Sequence, residues 1–285
     1  MNLQHGFLIV DKPSGVTSHD VVAQIRRRFA TKRVGHAGTL DPMATGVLVI
    51  GINNGTKFLQ YIMEGEKRYL ATIQLGTSTT TDDKEGEIIE RKDATQITDL
   101  QIEKAIQKFI GSIKQVPSSV SAVKIAGKRA YELVRKGESV EIPAREVMIK
   151  SLMIKSILRN EGVKVDIDVT CSAGTYIRAI ARDLGRELNV GGNLVSLCRI
   201  AAYPFEINAA DAPERARLLP LAETISKVLP SRHLKEDEIS KIRHGQQISK
   251  SDFSGPGVAV DNLGEAIAII KNSNTAAQPV TVLNS

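Results

Sequence analysis

Residues Arg33 to Val47 read RVGHAGTLDPMATGV, a loop that sets His36 and Asp41 among Gly35, Gly38 and Gly46. Glycine reaches backbone dihedrals closed to other residues, so a carboxylate in such a loop is held in place for chemistry. The apolar run Val47 to Ile50 that follows reads as a buried strand, a rigid anchor on one side of the loop. On these residues alone Asp41 is an acid, a base or a nucleophile and His36 its polar neighbour. The plainer alternative is that both only cap the loop.

The 285 residues, 42% of them hydrophobic, allow one large domain and a small one. Tryptophan is absent and aromatics are 4%, so the core rests on Ile, Leu, Val and Ala. The net charge of +6 is uneven: residues 1–40 hold six basic side chains (Lys12, Arg26, Arg27, Arg28, Lys32, Arg33) against Asp11 and Asp20. That excess suits a phosphate-facing patch, or equally a solvated helix face with cations near its C-terminal end. Cys171 and Cys198 belong to no CxxC pair or metal-like cluster, which points to reduced thiols and an intracellular protein. The opening MNLQHGFLIVDKP has an apolar run cut short by Asp11 and Lys12, and reads as neither signal peptide nor membrane span. No Walker-type lysine loop, dinucleotide fingerprint or zinc pattern is present, which counts against ATP-driven phosphoryl transfer and NAD redox chemistry.

Phe7 to Val10 reads as a first strand closed by the turn DKPSG, and Thr17 with Asp20 forms a capping box for a helix through Val21, Val22, Ile25 and Phe29. Lys67 to Leu75 alternates as a strand, with Tyr69 on its apolar face, and GTSTTTDDKEGE reads as a long turn or active-site loop. Residues 99–110 form a short amphipathic helix, and 114–136 a basic loop whose second half is helical. Val163 to Val169 is a strand leading into CSAGTYIRAIARDLGREL, where Arg178 and Arg182 share a helix face. With Thr175 as the cap, Arg178 falls in the first turn, where a positive charge opposes the dipole and calls for an anionic partner. From Ala209 a helical connector interrupted by prolines leads to a small β-rich module, and NSNTAAQPVTVLNS closes the chain as a loosely packed tail.

The segments GFLIVDKPSGVTSHDVV, KRVGHAGTLDPMATGVL, KRYLATIQLG and CSAGTYIRAIARDLG, in this order and over most of the chain, resemble the TruB family of tRNA pseudouridine synthases. The resemblance implies an enzyme that turns uridine 55 of the TΨC loop into pseudouridine, breaking the N1–C1′ bond and rejoining the ring through C5. Asp41 matches the family's nucleophile, acting at C1′, at C6 of the base, or by way of a glycal. Arg178 matches the arginine that pairs with it, and Tyr69 the tyrosine stacked on the target base.

Among substrate-binding residues, the resemblance gives His36 the task of holding the flipped RNA, Lys12 a place at the pocket edge and Leu197 a place in its lining. Asp83, or its neighbour Asp82, contacts the flipped region; here Thr80 and Asp82 stand where the commoner pattern has Asp and Ser. Lys124, Lys128 and Arg129 lie in the basic segment expected to meet phosphates of the T arm without reading base identity. The implied fold is α+β: a pseudouridine synthase domain over 1–230, with a mixed, mostly antiparallel sheet, flanking helices and a basic RNA-binding insertion at about 111–145. A small β-rich PUA-like domain follows over 231–285 and meets the acceptor side of tRNA. The expectation is a cytoplasmic monomer needing no cofactor, metal, membrane or protein partner. Rival readings are an RNA-binding or tRNA-folding protein that does not need Asp41, and a related synthase acting on ribosomal RNA.

Overall fold

A computed structural model of the chain describes residues 4–118 and 142–283, together with the backbone of 124–125 and 128–129. Its strands, in order, are β1 Gly6–Lys12, β2 Val34–His36, β3 Thr45–Ile52, β4 Lys67–Leu75, β5 Thr77–Thr79, β6 Ile88–Arg91, β7 Gly111–Gln115, β8 Lys124–Ile125, β9 Lys128–Arg129 and β10 Arg145–Leu158. Then come β11 Val163–Cys171, β12 Gly192–Ala202, β13 Phe205–Glu206, β14 Leu219–Pro220, β15 Ser231–His233, β16 Ile248–Ser249, β17 Pro256–Val260, β18 Ala266–Asn272 and β19 Ala276–Val282. The described helices are α1 Ser18–Arg28, α2 Leu59–Met63, α3 Asp99–Gln107, α4 Ile177–Glu187, α5 Leu221–Ile225 and α6 Glu236–Arg243. None of them is long and apolar enough to cross a membrane.

The chain divides into two compact bodies, one of Met1–Pro42, Gly46–Gly65 and Ala202–Ser285, the other of Met43–Thr45 and Glu66–Ala201. In the first, β1 pairs antiparallel with β14 and β3, and β2 with β3. Both faces of β1 are buried, which is why it reads as a continuous apolar run. Leu8 and Val10 pack with Val21, Val22 and Ile25 of α1, while Phe7 and Ile9 share a cluster with Phe58, Ile225, Val258 and Ile269. The expected capping box of α1 is present, Thr17 accepting from the Asp20 N–H and the Asp20 carboxylate from that of Thr17.

The C-terminal sheet, order β15-β17-β18-β19-β16, is antiparallel except for β15 with β17. Its last strand corrects the expectation of a loose tail. Ala277 is fully buried, and the ladder shifts register between Ile269 and Ile270, opposite Thr281 and Pro279. A bulge there lets a proline without an N–H stand in a paired strand, which hides the strand from a sequence reading. The connector before it is also less helical than expected, with α5 only five residues long.

In the second body the strand order is β12-β4-β11-β10-β7, antiparallel from β4 to β7. Tyr69, Ala71, Ile73 and Leu75 of β4 are buried, as the alternation implies. A polar ladder joins intervening positions: Ser196 donates to Thr72 (2.8 Å), and Thr72 and Ser156 each donate to Asp166 at 2.6 Å. The segment 76–87, expected as a long turn or active-site loop, opens with β5, which pairs with β6 just beyond the segment.

Helix α4 buries Ile177, Ile180, Ala181 and Leu184. Its cap is Tyr176 rather than Thr175, whose hydroxyl instead donates to the Ser172 carbonyl at 3.0 Å. Tyr176 supplies no side-chain cap; Gln115, at the end of β7, accepts from its N–H (2.8 Å) and donates to its carbonyl (3.0 Å). Further along, a Cβ on Gly185 would lie 2.1 Å from the Gly191 carbonyl carbon, so α4 abuts the start of β12 backbone to backbone.

Candidate active site

In the first body the Asp41 loop is tied down on both sides of its carboxylate. The hydroxyl of Ser18, buried at the start of α1, donates to the Leu40 carbonyl (3.1 Å) and accepts from the Leu40 N–H (2.9 Å). The Pro42 carbonyl accepts from the Gly15 N–H (2.8 Å) and from the Lys12 ammonium (3.2 Å). Asp41 is thereby flanked by two anchored residues, while its own side chain stays half-buried. Gly38 (φ 96°) and Gly46 (φ 99°) take the left-handed backbone that the loop reading requires. Gly35 serves packing instead, since a Cβ there would lie 3.0 Å from Leu59 Cδ1.

Lys12 has 0% exposure, and its ammonium also donates to the carbonyls of Pro13 (2.8 Å) and Val16 (2.7 Å). It acts as a strut between the first turn and the Asp41 loop. His36, half-buried at the end of β2, meets the ring of His19 edge-on at 5.5 Å. His19, exposed on α1, was not singled out by the sequence, which offers no cue for it beyond residue type. The nearby basic run is partly structural: Arg26 donates to Val34 O (3.1 Å), and Arg28 to Pro213 O (3.0 Å) and Ala216 O (2.7 Å). Arg27, Lys32 and Arg33 are exposed.

In the second body Tyr69 is 9% exposed on β4, opposite Val169. Its neighbour Arg68 grips the buried Asp168 with two bonds, at 2.9 and 2.7 Å, and this hydrogen bonding holds the Asp168 carboxyl below the usual range. Leu197 is buried on β12.

Arg178, the second residue of α4, has the anionic partner that its place in the first turn calls for. Its Nη1 donates to Asp83 Oδ2 (3.3 Å) and to the Thr81 carbonyl (3.0 Å), with both charged side chains 6% exposed. The other Asp83 oxygen accepts from the Thr81 hydroxyl (2.6 Å) and the Glu85 N–H (3.0 Å). One turn along, Arg182 binds Asp82 at 3.1 Å. Burial works against its charge, but Asp183 and Asp82 outweigh that and raise its pKa. The consecutive aspartates thus bind two arginines four residues apart, a pattern present in the sequence as TDD and RAIAR.

Of the sequence-predicted residues, the first body holds Lys12, His36 and Asp41, and the second holds Tyr69, Asp83, Arg178 and Leu197. For Lys124, Lys128 and Arg129 only the backbone of a two-residue ladder is described; their side chains, and the basic helix expected after them, lie outside the described residues. Among the described residues no group of three or more His, Cys, Asp or Glu could hold a metal ion.

Residues 26–177 match the profile of the TruB family pseudouridylate synthase (N terminal domain). The chain is 48% identical to tRNA pseudouridine synthase B of Thermobifida fusca, over 97% of this chain and 98% of the relative. It is 49% identical to tRNA pseudouridine synthase B of Corynebacterium diphtheriae, over 93% and 92%. Among solved structures it resembles a chain of a Cbf5-Nop10-Gar1 complex, with TM-score 0.71, 22% identity, and 98% of this chain and 85% of that one covered. At that identity the likeness is one of fold.

Proposed function

This chain belongs to the TruB family of pseudouridylate synthases, and on that premise we propose that it isomerises uridine 55 in the TΨC loop of tRNA with Asp41 as the reacting carboxylate. It is a tRNA pseudouridine synthase with the pseudouridine synthase fold and a PUA-like C-terminal sheet. The observation that carries the role of Asp41 is the anchoring of Leu40 and Pro42, which fixes the backbone on either side of it. A group held in this way needs no reorganisation at the moment of reaction.

The target uridine leaves its stack before Asp41 reaches it, and His36 holds the opened RNA. As the N1–C1′ bond breaks, charge grows negative on the uracil and positive on the sugar, and the ionised carboxylate stabilises the sugar side. The ring turns, C5 bonds to C1′, the C5 proton leaves and N1 takes one up, so the product is an isomer. Attack at C1′, attack at C6 and the glycal route all start from this arrangement. Tyr69 stacks on the base and Leu197 lines the pocket, both excluding water so that transfer outruns hydrolysis.

Arg178 supplies the positive charge that keeps Asp41 ionised, and Asp83 acts on the flipped nucleotide through the Arg178 that it binds. Lys12 borders the pocket as the strut beneath it. Lys124, Lys128 and Arg129 meet T-arm phosphates, and the PUA-like residues 231–285 meet the acceptor side. The enzyme works as a cytoplasmic monomer without cofactor. Burial pushes the Cys171 thiol up to about 11, which keeps it protonated and unreactive.

The test is Asp41→Asn. Isomerisation is abolished in single-turnover assays on tRNA without added metal, while filter binding gives a tRNA affinity within about tenfold of wild type. Turnover near wild type removes Asp41 from its role.

A further inference from the structure

Arg178 donates to residues 81 and 83, on either side of Asp82. Asp82 has φ 60°, the left-handed region that a residue with a side chain enters at a cost. Its conformation therefore sets how the Thr81 carbonyl and the Asp83 carboxylate stand to one another, and so where Arg178 is aimed. The Asp82 side chain meets Arg182, whose Nη1 reaches its Oδ2 at 3.1 Å, with both side chains 13% exposed.

The Arg182 fork is itself immobilised. Nε and Nη2 donate to the two oxygens of Asp183 at 2.8 and 3.1 Å, and Nη2 to the Val116 carbonyl at 2.8 Å. On its other side the turn is pinned to β12, Leu194 N–H donating to the Asp82 carbonyl (3.0 Å) and Lys84 N–H to the Leu194 carbonyl (2.9 Å). We infer that Arg182 is a positioning residue for isomerisation, holding Asp82 in its left-handed turn so that Thr81 and Asp83 orient Arg178. This rests on the reading that Arg178 serves the reaction. Arg182 touches no substrate and acts through the turn alone.

The experiment measures single-turnover rate and tRNA affinity separately for Arg182→Gln, Asp82→Ala, their double variant, Asp82→Gly and Arg182→Lys, with Arg178→Ala as reference. Arg182→Gln and Asp82→Ala each slow isomerisation about tenfold, with tRNA affinity within about twofold, at temperatures where circular dichroism shows every variant folded. The double variant is no slower than the slower single, because both remove one link. Asp82→Gly is faster than Asp82→Ala, since glycine takes the turn unaided, and Arg182→Lys recovers part of the rate. A rate for Arg182→Gln within twofold of wild type, or a double variant whose losses multiply, overturns the inference. Should Arg178→Ala itself keep the wild-type rate, the reading of Arg178 falls instead.

Discussion

Asp41 is held through the backbone of its neighbours, by bonds reaching Leu40 and Pro42 from residues 12–18, whereas Arg178 is held through charge, by a carboxylate 95 positions away in sequence. The first kind of support is largely neutral and local, and depends on a turn keeping its shape. The second is ionic, buried and long-range, so it depends on two distant segments keeping their charges. A group that must meet substrate gains from the first kind, because the support bears on its neighbours' backbone. A cation buried near the start of a helix has need of the second.

The sharpest way to break this contrast is at the ionic side. Arg178→Ala leaves Asp83 buried without its cation and removes the charge assigned to Asp41, and turnover falls about 10²–10³-fold. Arg178→Lys, which keeps the charge but not the fork, is expected to recover only part of the loss; full recovery in single-turnover assays would reduce the guanidinium to a point charge.

A smaller effect is expected on the backbone side. Lys12→Met keeps the stem and strips the ammonium from three carbonyls, which costs about 2 kcal/mol by chemical denaturation and slows isomerisation about tenfold with tRNA affinity unchanged. An affinity loss with the rate intact would make Lys12 a contact to RNA and not a strut.

The smallest concerns pH. The Asp168 carboxyl is held low by Arg68, so its contribution is present above the ordinary carboxylate range and is lost as pH falls below about 4. Unfolding followed against pH should show a shallower acid fall for Asp168→Asn than for wild type. The bonds that anchor Leu40 and Pro42 come from Ser18, Gly15 and Lys12, with no carboxylate among them.

Legibility followed the same division. The box of Thr17 and Asp20, the strand Lys67–Leu75 and the loop around Asp41 were readable because each is decided within a few residues. Arg178 announced the need for an anion, but Asp83 as its hydrogen-bonded partner depends on a fold that brings β12 and α4 to the 80s turn. The helix cap supplied by Gln115 from 61 residues away had no local signal, and Thr175 was the nearer, wrong choice. The final strand failed for a related reason, since Pro279 argues against pairing unless a bulge is known to be there.

Gly185 carries no charge, makes no side-chain bond and lies about 10 Å along the helix from Arg178, seven residues at 1.5 Å each. Yet its missing methyl group is what lets α4 rest against Gly191. With a Cβ there, the backbone of α4 or that of Gly191 and Gly192 has to shift. A survey of variants confined to reactive residues would therefore miss a site with no room for a single added carbon.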